Sequence, residues 1–239
     1  HDLQEPLRKI QAFGGRVVAS ESDNLSERGV DYLHRMQNAA ERMQVLINDL
    51  LTYSRVRTRA KEAIPVDLRE VIDGVLGDLE VATEEAGAAF EITDLPVIWG
   101  DPVQFRQLFQ NLLGNALKFR VPDRNLVIRV SACVEAGEHS MAYEAEFEPS
   151  ESWCVTVEDN GIGFDPAYAD RIFGIFQRLH GRSEYPGTGV GLAVCKKIVE
   201  HHDGTIDADA TPGEGARFVM RFPTGQVSRV MDPGVVSAD

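Results

Sequence analysis

The chain begins with the segment HDLQEPL, which brings a histidine and two carboxylates close together. Imidazole has a reference pKa of about 6.5, so it is largely neutral, and therefore nucleophilic, at cellular pH. On a helix, His1 would lie opposite the apolar stripe that contains Leu3 and Leu7, with Asp2 beside it and Glu5 one turn below. An exposed imidazole next to carboxylates suits nucleophilic chemistry, although a histidine in such a place is more often only solvated.

A second group of polar residues lies in the segment QLFQNLLGNALKF. Asn111, Asn115 and Lys118 are four and then three residues apart, so a helix places them within about 60° of one another. Carboxamide oxygens can ligate a hard cation such as Mg²⁺, and an ammonium group can meet a phosphate. The same spacing also describes the ordinary polar face of an amphipathic helix.

The segment VEDNGIGFD places an acid at the end of a strand-like run, followed by two glycines. Gly161 and Gly163 would let the backbone approach a flat ligand while Asp159 accepts a hydrogen bond from an amino group. An ordinary turn would have a similar composition.

The segment YPGTGVGLAVCKK has three alternate glycines, Gly187, Gly189 and Gly191, directly before a predicted helix. The start of a helix presents free backbone N–H groups and a positive dipole end, which suit an anion. The segment matches neither the GxxxxGK[ST] loop nor a dinucleotide fingerprint.

The composition excludes several classes of protein. The 239 residues carry a formal net charge of −14, whereas a sequence-independent nucleic-acid binder needs a positive surface. Cys133, Cys154 and Cys195 form no CxxC pair, which favours buried thiols in a reducing compartment over a disulfide framework or a zinc site. No apolar run approaches the roughly 20 residues of a membrane helix, and there is no secretory leader. We therefore expect a soluble, cytoplasmic piece of a longer protein.

Apolar residues in the first part of the chain recur with heptad spacing. In the first set, successive residues are alternately four and three positions apart: Leu3, Leu7, Ile10, Gly14 and Val17. The same spacing resumes after the segment SESDNLSERG. The pattern predicts two antiparallel helices over residues 1–59. Two helices bury both stripes poorly, so we expect pairing with a second copy into a four-helix bundle. The alternative is a monomeric hairpin packed on its own second domain.

The character of the sequence changes after residues 60–66, a basic, proline-broken segment that we predict to be a linker. Helical patterns follow at LREVIDGVLGDLEVATEEAG, DPVQFRQLFQNLLGNALKF and VGLAVCKKIVEHH, and strand patterns at AFEIT, LVIRVSACVE, WCVTVED and GARFVMRFP. Interleaved helices and strands predict a layered α/β sandwich over residues 67–223. Residues 224–239 form a tail without a recognisable pattern.

Taken together, these segments resemble a bacterial sensor histidine kinase, in which a dimerisation and phosphoacceptor hairpin precedes an ATP-binding domain. The resemblance covers the chain to about Pro223. It rests on five boxes in the expected order: an H-box HDLQEPL, an N-box NLLGNALKF, a G1 box DNGIGF, an F-box FGIFQR and a G2 box GTGVGL. The H-box is similar to that of phytochrome-type sensor kinases.

The resemblance implies the ATP-binding sandwich that histidine kinases share with the Hsp90, gyrase and MutL ATPases, with ATP and Mg²⁺ as ligands. Asn115 matches the asparagine that ligates Mg²⁺, and Asp159 matches the aspartate that recognises the adenine amino group. Lys118 would contact the phosphates, and Phe119 would lie near the adenine or the mobile lid. The other residues expected at the nucleotide are Asn111, Gly161, Gly163, Phe173, Phe176, Arg178, Gly187, Thr188, Gly189, Gly191 and Leu192.

The resemblance also gives the opening histidine a reaction partner. His1 would attack the γ-phosphoryl group of ATP in line, and Asp2 would orient the imidazole and accept its proton. The phosphoryl group would then pass to an aspartate of a response-regulator receiver domain. The sequence given contains neither a receiver nor an upstream sensor domain.

Two positions depart from the family pattern. Where the common H-box has Thr or Asn, which positions water for dephosphorylating the receiver, this chain has Glu5. An anion cannot supply that neutral donor, so we expect Glu5 to modulate the reaction and to weaken receiver phosphatase activity. In GEGARF, Ala216 replaces a common Thr, which we interpret as the loss of a peripheral hydrogen bond.

Three other functions fit this sequence less well. Clamp-type ATPases of the gyrase or MutL kind place a glutamate one turn before the Mg²⁺ asparagine, and here Asn111 holds that place and cannot take a proton. A silent dimeric scaffold would not need the intact boxes. A protein-serine kinase of the anti-sigma type has no histidine hairpin.

Overall fold

The computed structural model describes residues 4–21, 24–58, 63–135, 151–179, 181, 184–185 and 187–224. His1 and Asp2, the predicted phosphoacceptor and its general base, lie outside the described residues, as do residues 225–239 of the predicted tail. Within the described part of the chain, every helix is too short or too polar to cross a lipid bilayer.

Two antiparallel helices form the first unit, α1 (Gln4–Glu21) and α2 (Glu27–Thr58). The heptad positions Leu7 and Gly14 are buried between them. Gly14 permits close packing because a Cβ there would lie 3.1 Å from Cγ of Gln37. Gln4 Nε2 donates a hydrogen bond to Asn48 Oδ1 at 2.8 Å, which fixes the beginning of α1 against the C-terminal half of α2. The predicted helical hairpin is thus confirmed, and its pairing with a second copy stays a prediction.

In the described residues that follow, seven strands form two sheets. Their bounds are β1 Ile64–Asp67, β2 Ala89–Ile92, β3 Val97–Gly100, β4 Val127–Glu135, β5 Ser152–Asp159, β6 Thr205–Thr211 and β7 Gly215–Pro223. The larger sheet has the order β2-β4-β5-β7-β6, and β1 pairs with β3 in a separate antiparallel ribbon. Only β2 and β4 are parallel among the described pairs of the larger sheet; its other neighbours are antiparallel.

The described part of this second unit has four α-helices: α3 (Leu68–Asp78), α4 (Glu80–Ala86), α5 (Pro102–Lys118) and α6 (Gly191–His201). Asp67 and Asp101 cap α3 and α5 by accepting hydrogen bonds from the N–H two residues ahead, which satisfies orphan donors of the first turn. The apolar sides of α3, α5 and α6 pack on one face of the larger sheet and form the core. This helix-on-sheet arrangement confirms the predicted α/β sandwich.

The alternation along β5 separates the two faces of the larger sheet. Val155 and Val157 belong to the core under the helices. Because successive side chains of a strand point to opposite faces, Cys154 and Thr156 point to the other face, which we call the outer face. Both are buried there, although neither belongs to the hydrophobic core.

The C-terminal end of α2 packs on the second unit. Val56 belongs to the core, and its carbonyl accepts a hydrogen bond from Gln104 Nε2 on α5 at 3.3 Å. The ammonium of Lys197 on α6 lies 3.9 Å from the ring centroid of Tyr53. The hairpin is therefore held against the helices that also build the site described below.

The structure differs from the predicted elements in two respects. The single helix expected from LREV to EEAG is interrupted at Leu79, which has φ −100° and ψ 8° and follows Gly77 and Asp78, two residues of low helix propensity. Strands β1, β3 and β6 were not predicted. The first two have four residues each, and in β6 only Ile206 and Ala210 are buried, so their sequence signal is weak.

Candidate nucleotide-binding site

A cavity of about 290 Å³ opens between α5, the end of β5, the loop after Phe173 and the beginning of α6. Its wall contains most of the residues that the sequence predicted to contact the nucleotide: Asn111, Asn115, Lys118, Phe119, Asp159, Gly163, Arg178, Gly187, Thr188, Gly189, Gly191 and Leu192. Four segments that are distant in the sequence thus meet at one place.

Helix α5 supplies the polar wall of the cavity. Asn111, Asn115 and Lys118 face the cavity, whereas Leu112 and Ala116 are buried in the core. The predicted helical stripe is therefore present with the expected orientation. Asn111 Nδ2 donates a hydrogen bond to the carbonyl of Gly191 at 3.3 Å, which fixes α5 to the first residue of α6.

Asp159, the last residue of β5, supplies the acid of the cavity. Its Oδ1 accepts a hydrogen bond from the N–H of Gly161 at 2.8 Å, and its carboxylate also accepts one from the N–H of Ala216. Burial raises the pKa of this carboxyl from 3.8 to about 6, since a low-dielectric surrounding disfavours the charged form. At neutral pH the group is ionised and offers a strong acceptor to a ligand.

Gly161 is part of the support of Asp159. A Cβ at this position would lie 2.5 Å from the carbonyl oxygen of Phe119 and 2.7 Å from Asp159 Oδ1. Any larger residue would push the G1 turn away from the end of α5. Gly161 itself lies outside the described cavity wall, so its contribution to the site is the close approach of two backbone segments.

Lys118 places a cation against the glycine-rich loop. Its Nζ lies 4.2 Å from the ring centroid of Phe119, and a Cβ at Gly187 would lie 2.9 Å from the same nitrogen. Burial, and secondarily the charge of Arg178, lower the pKa of Lys118 below its ordinary value. Two cations in one partly buried place make the site favourable for an anion.

The loop before α6 is organised by Arg178. Its guanidinium donates to three backbone carbonyls, at 2.5 Å to Gly187, 2.7 Å to Tyr185 and 3.3 Å to Gly181. Gly189 has φ +76°, a conformation that other residues adopt at a cost. The Tyr185 ring packs on Phe119 with centroids 5.0 Å apart, so the loop closes one side of the cavity.

Helix α6 begins at Gly191 on the cavity wall. Its N-cap position is held by Val190, whose apolar side chain cannot accept a hydrogen bond from the first turn. The amides and the positive dipole end at Gly191 and Leu192 therefore point to a place where an anion would satisfy them.

Comparison with known families agrees with this geometry. Residues 100–226 match the family described as histidine kinase-, DNA gyrase B- and HSP90-like ATPase, and residues 1–59 match the His Kinase A (phospho-acceptor) domain. The first match alone spans more than half of the chain. The chain belongs to the sensor histidine kinases.

Curated relatives support this membership. The chain is 39% identical over 226 residues to phytochrome-like protein Cph1 of Synechocystis sp., which covers 94% of the chain and 28% of that protein. It is 30% identical over 227 residues to the sensor histidine kinase GacS of Pseudomonas protegens, covering 91% of the chain and 23% of that protein. The chain thus spans less than a third of the length of these relatives.

Solved structures give the same fold. Full-length ShkA in complex with AMPPNP superposes with a TM-score of 0.65 at 23% identity, over 93% of this chain and 44% of that one. The mycobacterial sensor histidine kinase MprB superposes with a TM-score of 0.51 at 26% identity, over 67% of this chain and 97% of that one. The chain therefore has the fold of both domains of the sensor histidine kinase family.

Two predicted F-box residues lie outside the described cavity wall. Phe173 is buried in the core, and the ammonium of Lys196 lies 5.9 Å from its ring centroid. Phe176 has φ +63° and is 56% exposed, and it does not line the cavity. A motif locates the F-box in the sequence, but it does not give the direction of each ring.

Other residues of the cavity wall were not predicted: Asp49, Thr52, Gln107, Phe164, Ile172, Gln177, Leu179, Tyr185, Val194, Ala216 and Phe218. The apolar ones are indistinguishable in the sequence from core residues. Asp49 comes from α2, and its Oδ2 accepts a hydrogen bond from Thr188 Oγ1 at 2.5 Å. A contact between residues this far apart in the sequence leaves no local signal.

Both departures from the family pattern can be located. Glu5 is exposed on α1 and forms an ion pair with Lys9 at 2.7 Å, so its charge is partly compensated by its own helix. Ala216 lies on the cavity wall, where its N–H is bound to Asp159. The backbone hydrogen bond is thus retained at this position without a threonine hydroxyl.

Proposed function

We propose that this chain is the phosphoacceptor and catalytic part of an autophosphorylating sensor histidine kinase, which transfers the γ-phosphoryl group of ATP to His1. The observation that carries the proposal is the convergence of Asp159, Lys118, Asn115 and the N-terminus of α6 on one cavity beside α2. An acid, a cation, a carboxamide and free amides are the groups that an adenine and a polyphosphate need.

The nucleotide would lie along the cavity with its base at Asp159. The carboxylate accepts a hydrogen bond from the adenine amino group, and the rings of Phe119 and Tyr185 close the side of the site. Lys118 and the first amides of α6 then meet the phosphates. The presence of AMPPNP in the related ShkA structure supports ATP as the ligand.

The donor set of the cavity also fits Mg²⁺. This ion binds oxygen ligands and is usually held by one or two protein groups together with substrate phosphates and water, and Asn115 provides a carboxamide oxygen on the same wall as Lys118. When bound, Mg²⁺ neutralises the charge that develops on the transferred phosphoryl group. Asn115 would hold the ion, and Asn111 would keep α5 and α6 in register.

His1 would act as the nucleophile and Asp2 as its base. A bond forms between an imidazole nitrogen and the γ-phosphorus, the bond from that phosphorus to the bridging oxygen breaks, and the ring proton passes to the Asp2 carboxylate. In the sequence His1 precedes Gln4 by three residues. Gln4 is bound to Asn48, and the next residue, Asp49, lines the cavity, which supports a phosphoacceptor close to the bound ATP.

The partners are proposed from the family. A receiver domain of a response regulator would accept the phosphoryl group from His1 on an aspartate. A second copy of this chain would pair through residues 1–59, and an upstream sensor domain would control the reaction. Glu5 would weaken dephosphorylation of the receiver, because an anion at this place repels a phosphorylated partner.

Labelling tests the proposal directly. The purified chain is incubated with Mg²⁺ and ATP labelled on the γ-phosphorus, and the protein is then treated with acid or alkali. A phosphoramidate is expected, so the label should be lost in acid and retained in alkali. His1→Gln should abolish labelling, whereas His34→Gln, which changes an exposed histidine of α2, should not.

The same experiment separates kinase from clamp-type ATPase. Asn111 carries a carboxamide that donates to the Gly191 carbonyl, so it cannot act as the base for a hydrolytic water. The wild type should therefore release little free phosphate. Steady release of phosphate with an unlabelled protein would refute the kinase and establish the hydrolase.

A further inference from the structure

The outer face of the larger sheet carries a pair of cysteines that the nucleotide site does not use. Cys133 on β4 and Cys154 on β5 are directly opposite in the antiparallel register. Directly opposed residues have side chains on the same face and Cα atoms about 4.5–5.5 Å apart. Glu135, two residues after Cys133, has its side chain on this face as well.

These three side chains converge. The two Sγ atoms and a carboxylate oxygen of Glu135 all lie within 4.8 Å of one another. Around a tetrahedral Zn²⁺, a Zn–S distance of about 2.3 Å separates two sulfurs by about 3.8 Å. Small side-chain rotations are thus sufficient to reach metal-ligand geometry.

The carboxylate of Glu135 is already oriented by a neighbouring strand. Its Oε2 accepts a hydrogen bond from Nε of Arg221 at 2.9 Å, and Arg221 also donates to Asp207 at 2.7 Å. Ligating carboxylates in metal sites are commonly held by such a hydrogen bond. The guanidinium also offsets part of the negative charge that two thiolates and a carboxylate would bring to one cation.

We propose that Cys133, Cys154 and Glu135 form a binding site for a single thiophilic divalent cation of the Zn²⁺ class, with solvent as the fourth ligand. Two sulfurs and one oxygen suit this class of ion, and a dedicated Mg²⁺ or Ca²⁺ site would be built from oxygen alone. The site joins β4 to β5, the strand that ends at Asp159. The buried thiols expected from the sequence are found for Cys154 and Cys195, whereas Cys133 is exposed and the expectation is wrong there.

The surroundings of the two thiols agree with this site. Cys154 is buried, and its thiol is in hydrogen-bond contact with Glu135. Cys133 is exposed and gives the ion access. Each cysteine would bind the ion as a thiolate, and its thiol proton would pass to solvent.

Titration of the full chain with Co²⁺, a spectroscopic substitute for Zn²⁺, tests the proposal. The protein is kept reduced with a phosphine that does not bind the metal. We expect saturation at one Co²⁺ per chain, with thiolate-to-cobalt charge-transfer absorption and intense tetrahedral ligand-field bands. Zn²⁺ should displace the bound Co²⁺ and abolish both.

Substitutions define the ligands. Cys133→Ser and Cys154→Ser should each weaken binding at least about tenfold and remove part of the charge-transfer absorption, whereas Glu135→Gln should weaken binding while keeping that absorption. Cys195→Ala is the matched control, because this thiol is buried in α6 at the other face of the sheet. Circular dichroism and ADP binding report whether each variant is folded.

Two results would overturn the site. One is the absence of saturable Co²⁺ binding by the reduced wild type. The other is binding that persists unchanged in the folded Cys133→Ser/Cys154→Ser double variant, or that is lost equally in Cys195→Ala. Since none of these variants changes His1 or the nucleotide cavity, failure here is distinguishable from failure of the proposed kinase activity.

Discussion

At the bottom of the cavity, Asp159 stays ionised at neutral pH in a place that disfavours its charge. Its pKa in the folded chain is about 6, against an ordinary value of 3.8. Between these two pH values the folded chain binds more protons than the unfolded chain, so stability falls as pH rises through this window. The difference corresponds to a loss of about 3 kcal/mol that is complete above pH 6. This pH dependence is expected of a binding site that keeps a buried, charged acceptor available for a ligand at a cost in stability.

Asp159→Asn should therefore stabilise the protein while it disables the site. The amide removes the cost of about 3 kcal/mol but has one oxygen for two N–H donors, which costs about 1 kcal/mol. We expect a net gain of about 2 kcal/mol in the free energy of unfolding at pH 8 that disappears near pH 4. Urea denaturation at both pH values measures this.

The same variant should bind ADP at least about tenfold more weakly at pH 8, since a charged acceptor is lost. Asp209→Asn, on the exposed side of β6, should change neither stability nor binding. A pH-independent change in stability of Asp159→Asn would contradict the burial argument.

Asn115 is expected to act on phosphoryl transfer more than on binding of the base. If Asn115 holds Mg²⁺ as proposed, Asn115→Ala removes a metal ligand, and labelling of His1 should fall by about 100-fold or more, as when one group that stabilises transition-state charge is removed. ADP affinity measured without Mg²⁺ should change little, because Asp159 is intact. Gln110→Ala removes an exposed carboxamide from the same helix and should leave the rate unchanged. Equal losses of Mg²⁺-free ADP binding and of labelling would show that Asn115 does not serve the metal.

Among the elements, the loop between the F-box and α6 is held by Arg178 and Thr188. Arg178 reaches three carbonyls of this loop, and Thr188 of the same loop is bound to Asp49 on α2. Hydrogen bonds from these two side chains therefore hold the described part of the loop beside the cavity. The loop also connects the nucleotide cavity with the hairpin.

Arg178→Ala should loosen this loop. We expect the KM for ATP to rise about tenfold, since hydrogen bonds from a charged donor contribute about 1.5–3 kcal/mol when buried and less when exposed. Arg178→Lys should restore little of the lost affinity for ATP, because an ammonium group cannot reproduce the planar array of donors of a guanidinium. The dependence of labelling rate on ATP concentration measures both. Arg171→Ala, which removes a guanidinium 5.4 Å from the Tyr168 ring centroid, is the control, and an equal effect there would refute the assignment.

The elements also show what the sequence could predict. Asn111, Asn115 and Lys118 were found because helical spacing is local, and Asp159 was found because an acid followed by glycines at a strand end is local too. The contact of Asp49 with the cavity and the opposition of Cys133 and Cys154 could not be predicted. They depend on the packing of α2 and on the register of β4 and β5, which residues distant in the sequence determine.

At the scale of the whole molecule, the hairpin has apolar surface that its own second domain leaves uncovered. Large exposed side chains lie on α1 and α2: Ile10, Phe13, Val17, Tyr32, Met36, Met43 and Leu50. On each helix they lie beside the stripe that packs inside the hairpin, which is the wider apolar face of a helix in a bundle. Val45 of α2, which is 44% exposed, lies on a different side of its helix. The monomeric alternative would leave Phe13 60% and Tyr32 64% exposed. These surfaces favour pairing with a second copy.

A charge on this surface should dissociate the dimer. Phe13→Asp and Met36→Asp each bury an unpaired carboxylate if the bundle forms, so we expect dimer affinity to fall at least about 100-fold, as for other unpaired buried charges. His34→Asp is the control, because it adds the same charge to α2 at about 175° around the helix from the centre of the group Tyr32, Met36, Met43 and Leu50. It should leave the dimer intact. Sedimentation equilibrium of the full chain at micromolar concentrations distinguishes the two cases, and circular dichroism verifies that the helices remain. A wild type that sediments as a monomer at these concentrations would refute the bundle, and the exposed stripe would then belong to a monomeric hairpin.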